Sequence, residues 1–181
     1  MSLLKQTLVN LSSWNQVGKV PCANVQEKDE WPPWLHLAHQ DALKGVHEIP
    51  GPKYHGRIVE YLSSVRGLSQ FKSDEIAWCA SAMNFWLKST GYPHTDSPLA
   101  RSCMTLGREA VIPKEGDIAV FYDDRNDVHG HVGNYIMHSD NQKRVLILGG
   151  NQGDEVGYLW MPVRGTHLYL KSIRTLDIYP A

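Results

Sequence analysis

Cys79, His131 and Asn151 are the residues whose types and order suit covalent catalysis. A thiol attacks a carbonyl only as the thiolate, and an imidazole is the side chain best matched to taking its proton near neutral pH. An amide behind the imidazole can accept the second ring N–H and so fix the tautomer and the ring orientation. Each residue also has an ordinary reading. Cysteine is a small, commonly buried side chain on apolar helix faces, histidines are common at hairpin edges, and Gly-Gly-Asn is a normal turn composition.

Placement is what joins them. Cys79 lies near the start of SDEIAWCASAMNFWLKSTG (73–91), the strongest helical stretch of the chain. Ser73 or Asp74 is its expected cap, acidic residues occupy the first turn, and Gly91 follows Lys88 at the end. A helix N-terminus lowers a thiol pKa. His131 opens the second strand of GDIAVFYDDRNDVHGHVGNYI (116–136), and Asn151 follows the next strand in LILGGNQ (146–152). A strand histidine facing a helix N-terminus is one way to assemble a Cys–His pair across two layers.

The surrounding elements supply those layers. WPPW (31–34) ends one segment and begins another, with Pro33 suited to a first helical turn. Trp34, Leu35, Ala38, Ala42 and Val46 recur at helical spacing, until Gly45 and Pro50-Gly51-Pro52 stop the run. A second helix is expected over 54–65 on Ile58, Val59, Tyr61 and Leu62, and a short one over 98–106, closed by Gly107. After Pro113 the pattern turns to strands at 116–123, 131–137, 144–150, 156–162 and about 169–178. Helices followed by antiparallel strands make an α+β fold. Residues 1–30 are polar and weakly patterned and are expected to form an arm, with 31–181 as a single catalytic domain.

Composition narrows the classes. The chain has 181 residues, 42% of them apolar and 20% charged, and a net charge of 18 − 19 = −1. Such a chain is not disordered, and it has no basic block for nucleic acid or for a membrane surface. No apolar run reaches the length of a membrane span, so no membrane insertion is expected. Lys5, Gln6 and Asn10 interrupt the opening MSLLKQTLVNLSSW, which therefore does not pass as a signal peptide. Three cysteines make no disulfide scaffold, although spacing leaves a Cys22–Cys103 bridge open.

Four short motifs carry a resemblance: Trp78-Cys79-Ala80, Gly116-Asp117-Ile118 with Val120-Phe121, His131-Val132-Gly133, and Gly149-Gly150-Asn151-Gln152. In this order, and with PWLHLAHQDALKGVHEIPG upstream, the chain resembles the papain-like peptidoglycan hydrolases of the NlpC/P60 and CHAP group over about residues 32–157. It departs from the main NlpC/P60 pattern around the cysteine. That pattern has Asp before the Cys and Ser-Gly after it, where this chain has Trp78 and Ala80-Ser81.

The resemblance implies a papain-like fold with N-terminal helices packed on an antiparallel sheet. It implies Cys79 as nucleophile, His131 as general base and acid, and Asn151 as the orienting residue. The activity implied is a cysteine amidase or endopeptidase, without cofactor or metal, that cuts amide bonds in the peptide stems of peptidoglycan. A chain of this size without a leader resembles the small amidase effectors of type VI secretion. Such a protein is made in the cytoplasm, acts on the wall of a target bacterium, and is matched by an immunity protein. A phage-type lysin and a catalytically silent binding module of the same fold are the alternatives.

The other chemistry-bearing residues have two readings each. Trp78, beside the nucleophile, and Arg101, facing a substrate carboxylate, are the candidates for binding substrate; core packing and an ordinary surface arginine are the alternatives. His129 and His131, two apart, could ligate zinc, but no third ligand is convincingly spaced. Asp123, Asp124 and Asp127 surround the turn before His129; the CHAP resemblance implies calcium there, and the simpler reading is a solvated turn.

Overall fold

The structure, a computed structural model, describes residues 18–70, 73–74, 76–125 and 127–176. Three α-helices precede the main run of strands: α1 (Pro33–Leu43), α2 (Gly56–Ser63) and α3 (Cys79–Ser89). The strands are β1 (Lys19–Val20), β2 (Arg108–Glu109), β3 (Ile118–Asp123), β4 (Gly130–His138), β5 (Arg144–Gly149), β6 (Gly157–Pro162) and β7 (Leu168–Thr175). They form one antiparallel sheet in the order β1-β6-β5-β4-β3-β7-β2. The α+β architecture expected from the sequence is therefore present.

Strands β3 and β5 are apolar at almost every position because both their faces are buried. Ile118, Val120, Leu146 and Leu148 face the helices, while Ala119, Phe121, Val145 and Ile147 form a second core on the other side. The sheet covers that second side by curling: Arg164 bridges Tyr169, and Leu170 N–H donates to the Val163 carbonyl, so β6 meets β7.

Three elements differ from the sequence pattern. The helix expected from Ser73 begins instead at Cys79. Asp74 does not cap it, because its Oδ2 accepts the backbone N–H groups of Ile49 and His55. Residues 100–105 form a 3-10 helix, in which Ser102 Oγ donates to the Leu99 carbonyl and Thr105 Oγ1 to that of Ser102, favouring the tighter i→i+3 turn. The short pairings of β1 with β6 and of β2 with β7 carry too few residues for periodicity to reveal them. Through β1 the expected arm, as far as it is described, extends the sheet, and Val20 and Val25 join the core. Residues 1–17 and the end of the last expected strand lie outside the described residues.

The helical layer is tied at Asp41, which has no solvent exposure. Its carboxylate accepts Arg57 Nε (3.1 and 3.2 Å) and Nη2 (3.0 Å), Tyr61 OH (2.7 Å) and Trp86 Nε1 (3.0 Å). One side chain of α1 thus joins α2 and α3. Removing it leaves a guanidinium, a phenol and an indole N–H without their acceptor, which costs about 3–5 kcal/mol. Asp41→Ala should lower the unfolding free energy from denaturant titration by that much. Glu155→Ala breaks the exposed Lys19–Glu155 pair (3.0 Å) and should cost about 1 kcal/mol or less.

Candidate active site

Cys79 is the first residue of α3, after Trp78 at the N-cap, which gives the helix no side-chain cap. Trp78 sets how closely that end approaches the sheet. Its ring is fully buried and stacks on Tyr61 at 5.7 Å, and its Nε1 donates to Glu48 Oε1 at 2.8 Å. A Cβ on Gly150 would stand 2.4 Å from that ring and 2.9 Å from Ala82, so this end of α3 can seat only over a glycine. Trp78 therefore does not offer a ring to substrate. It is the wedge between α3 and the end of β5.

His131 is the second residue of β4 and half-buried. Cys79, His131, Asn151 and Gln152 all line one open cavity of about 520 Å³. A larger cavity, about 1090 Å³, opens beside Trp31, Trp34 and Asp117, but neither a thiol nor an imidazole lines it.

The amide that meets the His131 ring is that of Gln152, one residue beyond the Asn151 expected there. Gln152 Oε1 lies 3.3 Å from His131 Nε2. Asn151 adopts a left-handed backbone (φ 56°) and forms the lip of the cavity, and the turn brings the following side chain over the imidazole. Gln152 is nearly fully buried, and its Nε2 donates to the carbonyls of Gly149 (3.3 Å) and Gly157. With the amide nitrogen committed to two acceptors, Oε1 can only accept. The proton must therefore sit on His131 Nε2, which leaves Nδ1 as the basic nitrogen; Nδ1 has no hydrogen-bond partner among the described residues. Gln152 stands in the GGNQ motif, but sequence does not distinguish which of two adjacent amides reaches the ring.

Burial pushes the Cys79 thiol up, while the backbone N–H groups of Ala80, Val132 and Cys79 itself pull it down. Burial also pushes His131 down to about 4, against the raising effect of the Gln152 hydrogen bond. Both directions favour a neutral thiol and a neutral imidazole at rest. Cys103, buried behind the site, is pushed up to about 12 by burial first and by the proximity of Cys79 second. It is not bridged to Cys22, whose Sγ lies 3.6 Å from His39 Nδ1.

Arg101 is engaged with the protein itself. Its Nε donates to the His129 carbonyl at 2.9 Å and its Nη2 to that of Asp123 at 2.6 Å, and the guanidinium lies 4.2 Å from the Tyr122 ring centroid. It braces both limbs of the hairpin that carries His131. The acidic turn is also spoken for: Asp123 pairs with Arg125, Asp124 with His167 and Asp127 with Arg101. Among the described residues, no group of three or more His, Cys, Asp or Glu side chains is placed to hold a metal ion.

No family model matches the chain, and no curated protein matches it. Among the described residues no helix is long and apolar enough to cross a membrane.

Two measurements test this geometry without reference to activity. Ring ¹⁵N shifts should show His131 as the Nε2–H tautomer. Gln152→Ala should abolish that preference, whereas Asn151→Gly, which keeps the left-handed turn, should preserve it. Acid stability tests the depressed imidazole. Between about pH 6.5 and 4 the unfolded chain binds a proton at His131 that the folded chain refuses, so stability is present above that window and lost as pH falls through it. His131→Gln should lose less stability than the native protein between pH about 7 and about 4.5, measured as the shift in denaturant midpoint.

Proposed function

We propose that the protein is a papain-like cysteine amidase of the NlpC/P60 and CHAP type that hydrolyses amide bonds in the peptide stems of peptidoglycan. The observation that carries this reading is the shared cavity. A helix-terminal thiol and a strand imidazole open onto the same space, and the imidazole tautomer is set by an anchored glutamine.

The chemistry follows from the atoms present. His131 Nδ1 takes the Cys79 proton as sulfur attacks the carbonyl carbon, so that thiolate and imidazolium appear together only in the reaction. Backbone N–H groups at the start of α3 stabilise the developing negative charge. The imidazolium then protonates the leaving amine as the C–N bond breaks. Water, deprotonated by His131, cleaves the thioester and restores the thiol, releasing a carboxylic acid. Gln152 holds the ring and stabilises the imidazolium through Nε2–H throughout.

The same reading makes the protein an antibacterial effector of the type VI kind. It would be made in the cytoplasm, act on the wall of a target cell after specialised secretion, and be neutralised by an immunity protein that plugs the cleft.

A second reading draws on the neutral resting pair: a silent papain-like module that binds stem peptides without cutting them. Digestion of purified sacculi followed by mass analysis of the released muropeptides separates the two and identifies the bond. Cys79→Ala and His131→Ala should each lower release by about a thousandfold or more. Cys22→Ser and Cys103→Ser should stay active. Release by Cys79→Ala at the native rate would overturn the assignment.

A further inference from the structure

The cleft around Cys79 is largely apolar; its polar lining is Cys79, His131, Gln152, Asn151, His129 and one charged pair. Pro98, Leu99 and Val128 form part of its walls, and Leu159, Met161 and Leu168 line it from β6 and β7. Leu99 and Val128 are 46% and 58% exposed, so their side chains add apolar surface at the rim of the cleft. None of its lining residues is Phe, Tyr or Trp, so it offers no stacking platform for a sugar ring. A slot of this kind fits a short aliphatic side chain.

The charged pair is Asp123 and Arg125, and the two are not equivalent. The Asp123 side chain is 6% exposed and that of Arg125 is 61% exposed. Asp123 accepts the Arg125 backbone N–H at 3.0 Å and Nε at 2.9 and 3.2 Å, and Nη2 completes a two-pronged grip. The carboxylate is thus buried beneath the guanidinium, held ionised well below the usual carboxylate range by Arg125. A ligand entering the cleft meets the cation. The guanidinium has five N–H groups in a fixed fork, and Asp123 occupies its Nε and Nη2. The Nη1 edge has no hydrogen-bond partner among the described residues, and Asp124, whose charge also acts on Arg125, is paired with His167 at 3.1 Å. Asp123 also fixes the arginine rotamer in advance, removing part of the ordering cost of binding.

We propose that Arg125 recognises a carboxylate on the substrate, so that the preferred substrate is a peptide with a small aliphatic residue in the slot and a free carboxylate that reaches the same cleft as the scissile amide. This rests on Cys79 being the amidase nucleophile, and it adds a specificity residue outside the Cys–His pair. Stem peptides carry several carboxylates, and this assignment singles out one of them as the recognition element.

The test uses synthetic stem tetrapeptides in which each free carboxylate is replaced in turn by a carboxamide. Binding to the Cys79→Ala protein is measured by calorimetry, beside cleavage by the native protein. Amidating one particular carboxylate should weaken binding about tenfold, as expected for a charge-assisted hydrogen bond at a partly solvated rim. Arg125→Gln, in the Cys79→Ala background, should bring that ratio to about one, and Arg125→Lys should recover part of it. Equal binding of all the peptides would overturn the carboxylate preference. A tenfold ratio that survives Arg125→Gln would overturn the assignment to Arg125. Discriminating binding without cleavage by the native protein would keep Arg125 as a carboxylate-binding residue and overturn the amidase reading, and with it the assignment of a preferred substrate.

Discussion

Asp41 sets the terms for the helical layer. A carboxylate with no access to water is tolerated only if its oxygens are matched by donors, and here three residues on two further helices provide them. Arg57, Tyr61 and Trp86 cannot all reach one buried point unless α1, α2 and α3 hold a particular mutual arrangement. The rings of Tyr61 and Phe85 lie 5.8 and 4.5 Å from the Arg57 guanidinium and close the same junction. Position therefore passes from Asp41 through Trp86 to α3, and along α3 to the thiol at its first residue.

The tryptophans carry that order down to the sheet. Trp31 donates to Glu115, Trp34 to the Gly116 carbonyl, Trp78 to Glu48 and Trp86 to Asp41. Each of these four rings is a large apolar body whose N–H has found an acceptor, so each contributes both area and a directional tie. Two of them fasten α1 and the segment before it to the start of β3. Trp78 presses α3 against Gly150, next to the turn that presents Gln152. The helix bearing the thiol and the turn orienting the imidazole are thus registered to each other by one ring against one glycine.

Within the site, burial acts on the thiol and the imidazole in the same sense. It disfavours thiolate and imidazolium alike, while backbone N–H groups at Cys79 and the Gln152 carbonyl at His131 favour the charged forms. Groups arranged to stabilise charge that is absent at rest are suited to chemistry in which the charge develops on the way to the transition state. Arg101 and Gln152 hold the imidazole from opposite ends, one through the hairpin backbone and one through the ring nitrogen.

The sequence by itself determined the α+β class, the helical and strand periods, and the prominence of Cys79 and His131. These depend on local pattern: apolar spacing, Pro33 at a helix start, and glycines at turns. It did not determine where α3 begins, because Asp74 is claimed by backbone groups near residues 49 and 55, far away along the chain. Nor did it separate Asn151 from Gln152. Two adjacent amides are equivalent in sequence, and only the left-handed turn and the carbonyls of Gly149 and Gly157 decide which oxygen meets the ring. Trp78 and Arg101 show the same limit. Sequence offers both as substrate contacts, but it does not show that packing buries the tryptophan or that the arginine holds the hairpin carbonyls. A residue's type sets what it can do, and the partners that tertiary structure brings to it settle which of those things it does.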